Sequence, residues 1–121
     1  MIKKHTISFG HAFRGLRWVL KTQPNYKIHI ALSVFSLLGS WFFKVSYAEF
    51  LTILVLITMG FVIETINTGI EATTDAIDRN IRQDIKIAKD VSAAAMLFFA
   101  VGSFVIACII FIPKIFLFFG M

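Results

Sequence analysis

The sequence predicts an all-α integral membrane fold, in which an interfacial amphipathic helix precedes three transmembrane helices. Three observations support this: 58% of the 121 residues are hydrophobic, the mean hydropathy is +0.82, and three long apolar stretches are separated by short polar ones. Only 16% of the residues are charged, whereas charged residues make up about a quarter of a soluble domain. We therefore expect one membrane domain over residues 1–121.

The interfacial helix is predicted over residues 3–22, where apolar residues recur at helical spacing beside basic ones. The apolar positions are Phe9, Ala12, Phe13, Leu16 and Leu20, and the basic arc is formed by Arg14, Arg17 and Lys21. Such a helix lies at the acyl boundary with its basic arc against anionic headgroups. The alternative is a cytosolic helix that packs on the bundle. Gln23-Pro24 ends the helix, because the residue before a proline avoids the α region.

The three transmembrane helices are predicted over residues 26–45, 49–75 and 90–119. The second and third exceed the roughly 20 residues that a helix needs to cross about 30 Å of hydrocarbon. The first reaches that length if Tyr26, Lys27 and Lys44 extend their polar ends toward the interface. In lipid only a helix satisfies all its backbone groups within one segment, so these stretches are expected to be helical.

The basic residues predict the orientation of the chain. Six lie before the first span or at its start (Lys3, Lys4, Arg14, Arg17, Lys21 and Lys27), and four lie between the second and third (Arg79, Arg82, Lys86 and Lys89). With three spans the N-terminus and the second loop share one side of the membrane. The excess of Lys and Arg makes that side cytoplasmic.

Other features exclude several classes of protein. Cys108 is the only cysteine, so we expect no intrachain disulfide and assign Cys108 a packing role. A cleavable signal peptide is not expected, because the basic N-terminal region lacks a long apolar core. There is no Walker-type, glycine-rich kinase or zinc-protease motif. His5, His11 and His29 lack metal-ligand spacing, and we interpret His29 as a hydrogen-bonded helix residue.

A polar stripe marks the end of the second span. At about 100° per residue, Glu64, Asn67, Glu71 and Asp75 fall within about 80° of one another and cover about 16 Å of helix. An acid inside a span is costly and indicates a functional site. Glu64, the deepest, is placed to abstract a proton from a lipid hydroxyl. The alternatives are that these acids only pair with basic residues of neighbouring helices, or that Glu64 relays protons in a non-catalytic or proton-coupled membrane subunit.

Lys89 and Asp90 lead into the small residues 92–95 at the start of the third span. Small residues let two helices approach closely, so we expect this pair near Glu71. A lysine beside carboxylates that hold Mg²⁺ suits phosphoryl transfer, where positioning and charge neutralisation supply most of the catalysis. The alternative for Lys89 is a cytoplasmic anchor of the positive-inside kind.

The run Glu64-x-x-Asn67-Thr-Gly-Ile-Glu71-x-x-x-Asp75, followed by Lys89-Asp90, resembles the signature of the prokaryotic diacylglycerol kinase family, which includes undecaprenol kinases. The resemblance extends over nearly the whole chain. It implies a homotrimer in the bacterial cytoplasmic membrane with active sites between subunits, ATP and Mg²⁺ at the cytoplasmic surface, and a lipid acceptor. The acceptor it first suggests is diacylglycerol, which would give phosphatidic acid; the alternative is undecaprenol.

The resemblance also implies roles for individual residues. Glu64 matches the catalytic base and Asn67 a polar group that orients it. Glu71 matches a ligand of metal and ATP, while Lys89 and Asp90 match the pair that contacts the phosphates. Asp75 is an acid of the same stripe with a supporting role.

Five further positions are assigned by the same resemblance. Gln23 stands where the family often has a second metal-binding glutamate, so it is the second expected metal ligand. Lys4 and His11 fall at nucleotide-contacting positions. Arg17 and Ala93 are expected to contact the lipid together with the catalytic base.

Overall fold

The computed structural model describes residues 2–121, with side chains described from Thr6 onward, and this part of the chain is all helical. Helix α1 spans Ile2–Thr22, α2 Pro24–Phe42, α3 Tyr47–Ile77 and α4 Gln83–Phe118. The predicted all-α class is therefore confirmed. The stretch between the second and third apolar segments is mostly helix as well, because α3 runs to Ile77 and α4 begins at Gln83.

Local sequence signals explain where these helices begin. Pro24 opens α2 at the position where its missing N–H costs nothing. Ser46 and Glu49 form a capping box at the start of α3, with Glu49 N donating to Ser46 Oγ at 3.2 Å and Ser46 N donating to Glu49 Oε2 at 2.7 Å. Lys44 turns the chain between α2 and α3 with a φ of 49°.

Helix α3 is the centre of the bundle, since it packs against both α2 and α4. Two ion pairs show that α3 and α4 are antiparallel. Lys114 Nζ lies 2.9 Å from Glu49 Oε2 at one end, and Lys89 pairs with Asp75 at the other. The start of α2 lies near that second end, because Tyr26 hydrogen-bonds to Thr65 of α3. The polar stripe of α3 therefore faces parts of both neighbouring helices.

Within the described residues, α3 and α4 are the helices long and apolar enough to span a membrane. Most of their large apolar side chains are exposed rather than packed inside the bundle, which distinguishes them from core helices of a soluble protein. Helix α2 has 19 residues, and its first turns carry the polar residues Asn25, Lys27 and His29. That α2 also crosses the membrane stays a prediction.

Helix α1 shows two kinds of surface. Leu16 and Leu20 line an apolar pocket together with residues of α2 and α3, so the end of α1 packs on the bundle. Phe9 and Phe13, earlier on the same helix, are each 67% exposed. An exposed aromatic stripe of this kind suits the membrane interface, and the interfacial location of α1 stays a prediction.

Candidate active site

A small polar cavity lies where α2, α3 and α4 meet. Its volume is about 260 Å³, and we call it the site cavity; it is lined by Asn25, Ile28, His29, Glu64, Asn67, Glu71, Ala93 and Met96. Three of the four residues of the predicted stripe, Glu64, Asn67 and Glu71, line this cavity. The polar stripe predicted from the sequence forms the α3 wall of the cavity, and residues of α2 and α4 form the other walls.

Glu64 is the most deeply buried acid of the site. Only 2% of the residue is exposed, and its Oε2 has no hydrogen-bond partner among the described residues. His29 Nε2 lies 4.0 Å from that oxygen, which exceeds the length of a hydrogen bond. A buried oxygen without a partner is costly, and an acid inside a membrane span is a candidate functional group by default, so Glu64 is the leading candidate of the site.

Asn67 connects the acids of α3 to helix α4. Its Oδ1 accepts a hydrogen bond from Ser92 Oγ, and its Nδ2 donates to Glu71 Oε1 at 3.2 Å. Both Asn67 and Ser92 are buried. The amide therefore orients the Glu71 carboxylate directly, whereas no hydrogen bond between Asn67 and Glu64 is present.

Lys89 and Asp90 lie at the rim, on the first turns of α4. Lys89 Nζ forms an ion pair with Asp75, and Asp90 pairs with Lys86. All four side chains are a third or more exposed, so solvent screens these pairs and their contribution to stability is small. The expected neighbour of Lys89 was Glu71; the structure instead places Lys89 on Asp75, the next acid toward the end of the same helix.

The remaining predicted residues are divided between the site and its surroundings. Ala93 lines the site cavity beside Glu64. Gln23 is not among the lining residues, and its amide donates to Thr22 Oγ1 at 3.3 Å. Arg17 is exposed on α1, and His11 hydrogen-bonds to Arg14 over 2.6 Å. The side chain of Lys4 lies outside the described residues.

The α2 wall of the cavity was missed by the sequence reasoning, although a signal for it exists. Asn25 and His29 line the cavity, and they belong to a polar stripe of α2 that also contains Ser33, Ser36 and Ser40. At helical spacing these five residues fall within about 80° of one another. Each serine donates to the carbonyl four residues earlier, over 2.7 to 2.8 Å, so the three hydroxyls form their hydrogen bonds within α2 itself.

An apolar cleft of about 450 Å³ adjoins the site cavity. It runs between α2, α3 and α4 and shares Ile28, His29 and Met96 with the cavity. Most of the other residues that line the cleft are aliphatic or aromatic, and three are serines. The cleft and the cavity that Glu64 lines therefore meet at these three shared residues.

The residues of the site cavity fit magnesium chemistry. Mg²⁺ prefers oxygen ligands and is usually held by one or two carboxylates together with substrate phosphates. Glu71 supplies a carboxylate already oriented by Asn67. No group of three His, Cys, Asp or Glu residues that could hold a metal ion occurs among the described residues.

The fold and the cavity define an all-helical membrane protein in which the buried carboxylate of Glu64 and the half-buried carboxylate of Glu71 line one polar cavity. Residues 10–111 match the family described as prokaryotic diacylglycerol kinase, and the chain belongs to that family; it is a lipid kinase. It is similar to an undecaprenol kinase of Bacillus subtilis (strain 168), with 37% identity over 89% of this chain and 88% of the relative. It is also similar to a diacylglycerol kinase of Synechocystis, with 23% identity over 90% of this chain and 63% of that relative.

Proposed function

We propose that this kinase transfers the γ-phosphoryl group of ATP to the terminal hydroxyl of undecaprenol, with Glu64 as the base. The observation that carries the proposal is the buried, unpartnered Oε2 of Glu64 in a polar cavity that adjoins an apolar cleft. A lipid hydroxyl delivered along the cleft gives that oxygen its hydrogen bond and a proton to accept.

The other residues of the site divide the work around this proton transfer. Glu71, oriented by Asn67, would hold Mg²⁺ together with the nucleotide phosphates, and the ion would neutralise their charge. Lys89 exchanges its pairing with Asp75 for the phosphates when nucleotide binds, since an exposed ion pair costs little to break. Ala93 leaves space for the acceptor beside Glu64.

The choice of undecaprenol over diacylglycerol rests on the relatives and on the cleft. The 37% identity with an undecaprenol kinase covers most of both chains, whereas the diacylglycerol kinase shares 23%. A polyprenol has one apolar chain and no polar group besides its hydroxyl, which suits the apolar cleft that adjoins the site cavity. Diacylglycerol carries two chains and two esters, and a largely apolar lining offers the esters few hydrogen-bond donors.

The membrane arrangement is part of the proposal. Helices α2, α3 and α4 span the bacterial cytoplasmic membrane, with the N-terminus and the 78–82 connection on the cytoplasmic side. Support comes from the basic residues at that end and from the antiparallel pairing of α3 and α4. A homotrimer with active sites between subunits is proposed from the resemblance to the family.

The acceptor is tested with purified protein in mixed micelles, given γ-labelled ATP and Mg²⁺ and offered each lipid separately. We expect label in the polyprenol product at a kcat/KM well above that for diacylglycerol. The reverse order would replace undecaprenol by diacylglycerol as the acceptor. Label in neither lipid would contradict the proposed acceptor and the proposed role of Glu64 as the base, and would favour the proton-coupled alternative for Glu64.

A further inference from the structure

His29 is held in one orientation by its neighbours. The imidazole lies between the rings of Phe61 and Phe99, with centroid distances of 5.9 and 6.5 Å. Gly60 leaves room for it, since a Cβ there would lie 3.2 Å from His29 Nδ1 and 3.0 Å from Phe99 Cε1. With Nδ1 turned toward Gly60, Nε2 is the ring nitrogen that faces Glu64.

The gap between His29 and Glu64 has the dimensions of a binding site for one oxygen atom. The 4.0 Å between Nε2 and Oε2 is too long for a direct hydrogen bond. A hydroxyl oxygen about 2.8 Å from both atoms forms a triangle whose angle at that oxygen is about 90°, which is compatible with a hydroxyl that donates one hydrogen bond and accepts another. The same two residues line the site cavity, and His29 also lines the apolar cleft.

We propose that His29 binds the acceptor oxygen and stabilises the charge that develops on it, an inference that rests on the proposed kinase function. The acceptor hydroxyl donates to Glu64 Oε2 and accepts from the Nε2–H of His29. As the O–H bond breaks, its proton passes to Glu64. The oxygen forms a bond to the γ-phosphorus, the bond from that phosphorus to the bridging oxygen breaks, and ADP leaves. The proton on His29 Nε2 stays in place throughout.

The surroundings suit this role better than a purely structural ion pair. The acids that line the cavity with His29 are Glu64 and Glu71, both from α3, while α4 contributes the uncharged Ala93 and Met96. A structural pair would close to hydrogen-bond distance and leave Glu64 Oε2 satisfied. Instead that oxygen has no partner within the part of the chain that the structure describes.

The test compares three substitutions of His29. His29→Phe keeps an aromatic ring between Phe61 and Phe99 but removes the donor. His29→Gln keeps an amide N–H, and His29→Met matches the length of Gln without a donor. Trp41→Phe, at the far end of α2, is the control. For each variant we would measure kcat with undecaprenol and with diacylglycerol, the affinity for ATP, and thermal unfolding in micelles.

Loss of one donor to a developing oxyanion lowers kcat by about 100-fold or more. We therefore expect that loss in His29→Phe and His29→Met, an unchanged affinity for ATP, and recovery of about tenfold in His29→Gln relative to Met. If Phe fails to fold, the Gln and Met pair decides. Equal kcat in Gln and Met, or a Phe variant close to the unsubstituted protein, would overturn the role of His29 while leaving the kinase proposal standing. No transfer to either lipid by the unsubstituted protein would overturn both.

Discussion

The hydrogen bond between Asn67 and Ser92 gives a quantitative prediction, because it joins α3 to α4 with both partners buried. Interhelical hydrogen bonds in membranes contribute about 0.6 kcal/mol on average and up to about 1.7. Ser92→Ala leaves Asn67 Oδ1 without its donor, and we expect a loss of about 1–2 kcal/mol of unfolding free energy. Asn67→Ala leaves Ser92 free to donate to a backbone carbonyl of its own helix, as Ser33 does here. The unfolding free energy lost with the Asn67–Ser92 hydrogen bond is therefore smaller in this variant than in Ser92→Ala.

The assay is a double-mutant cycle on unfolding in mixed micelles. The double variant should lose about 1 kcal/mol less than the sum of the single losses, which corresponds to about a fivefold effect on the unfolding equilibrium. A second readout separates the two residues. Asn67→Ala also removes the donor to Glu71 and should raise the Mg²⁺ concentration for half-maximal activity, whereas Ser92→Ala should not. Additive losses within about 0.3 kcal/mol, or identical Mg²⁺ curves, would refute the reasoning.

Three further predictions concern charged residues. Glu71→Ala should sharply raise the Mg²⁺ requirement, measured as the half-maximal concentration in the transfer assay, and an unchanged requirement would count against a metal role. Lys89→Gln should raise KM for ATP severalfold, whereas Lys86→Gln, the control on the same helix, should leave it within error; equal effects would remove the special role of Lys89. Lys114→Gln breaks the pair with Glu49 at the opposite end of the bundle and should leave kcat unchanged, so a large fall in kcat would contradict the placement of the site.

The part of the site on α3 was predictable because one helix fixes the relative positions of its own residues. Glu64, Asn67 and Glu71 share a face at any tertiary arrangement, and the structure places all three on the site cavity. The all-helical class followed for a similar reason, since long apolar stretches satisfy their backbone groups only as helices.

Contacts between helices were less predictable because they depend on register. The small residues at the start of α4 indicated a close approach to α3, yet the partner of Lys89 is Asp75, one turn beyond the expected Glu71. The role proposed for His29 was not predictable from that residue alone. The polar stripe of α2, from Asn25 to Ser40, identifies its inward face, but only the packing of α2 on α3 brings the imidazole to Glu64.

The central claim is that Glu64 is the base of a lipid kinase, and the most direct measurement compares Glu64→Gln with the unsubstituted protein. Gln keeps the size and polarity of the side chain but does not accept the acceptor proton. We predict that phosphoryl transfer to lipid falls by at least about 100-fold, while the affinity for ATP, measured by equilibrium binding with Mg²⁺, stays within about twofold. Retained transfer together with lost nucleotide binding would contradict the claim and place Glu64 at the nucleotide instead.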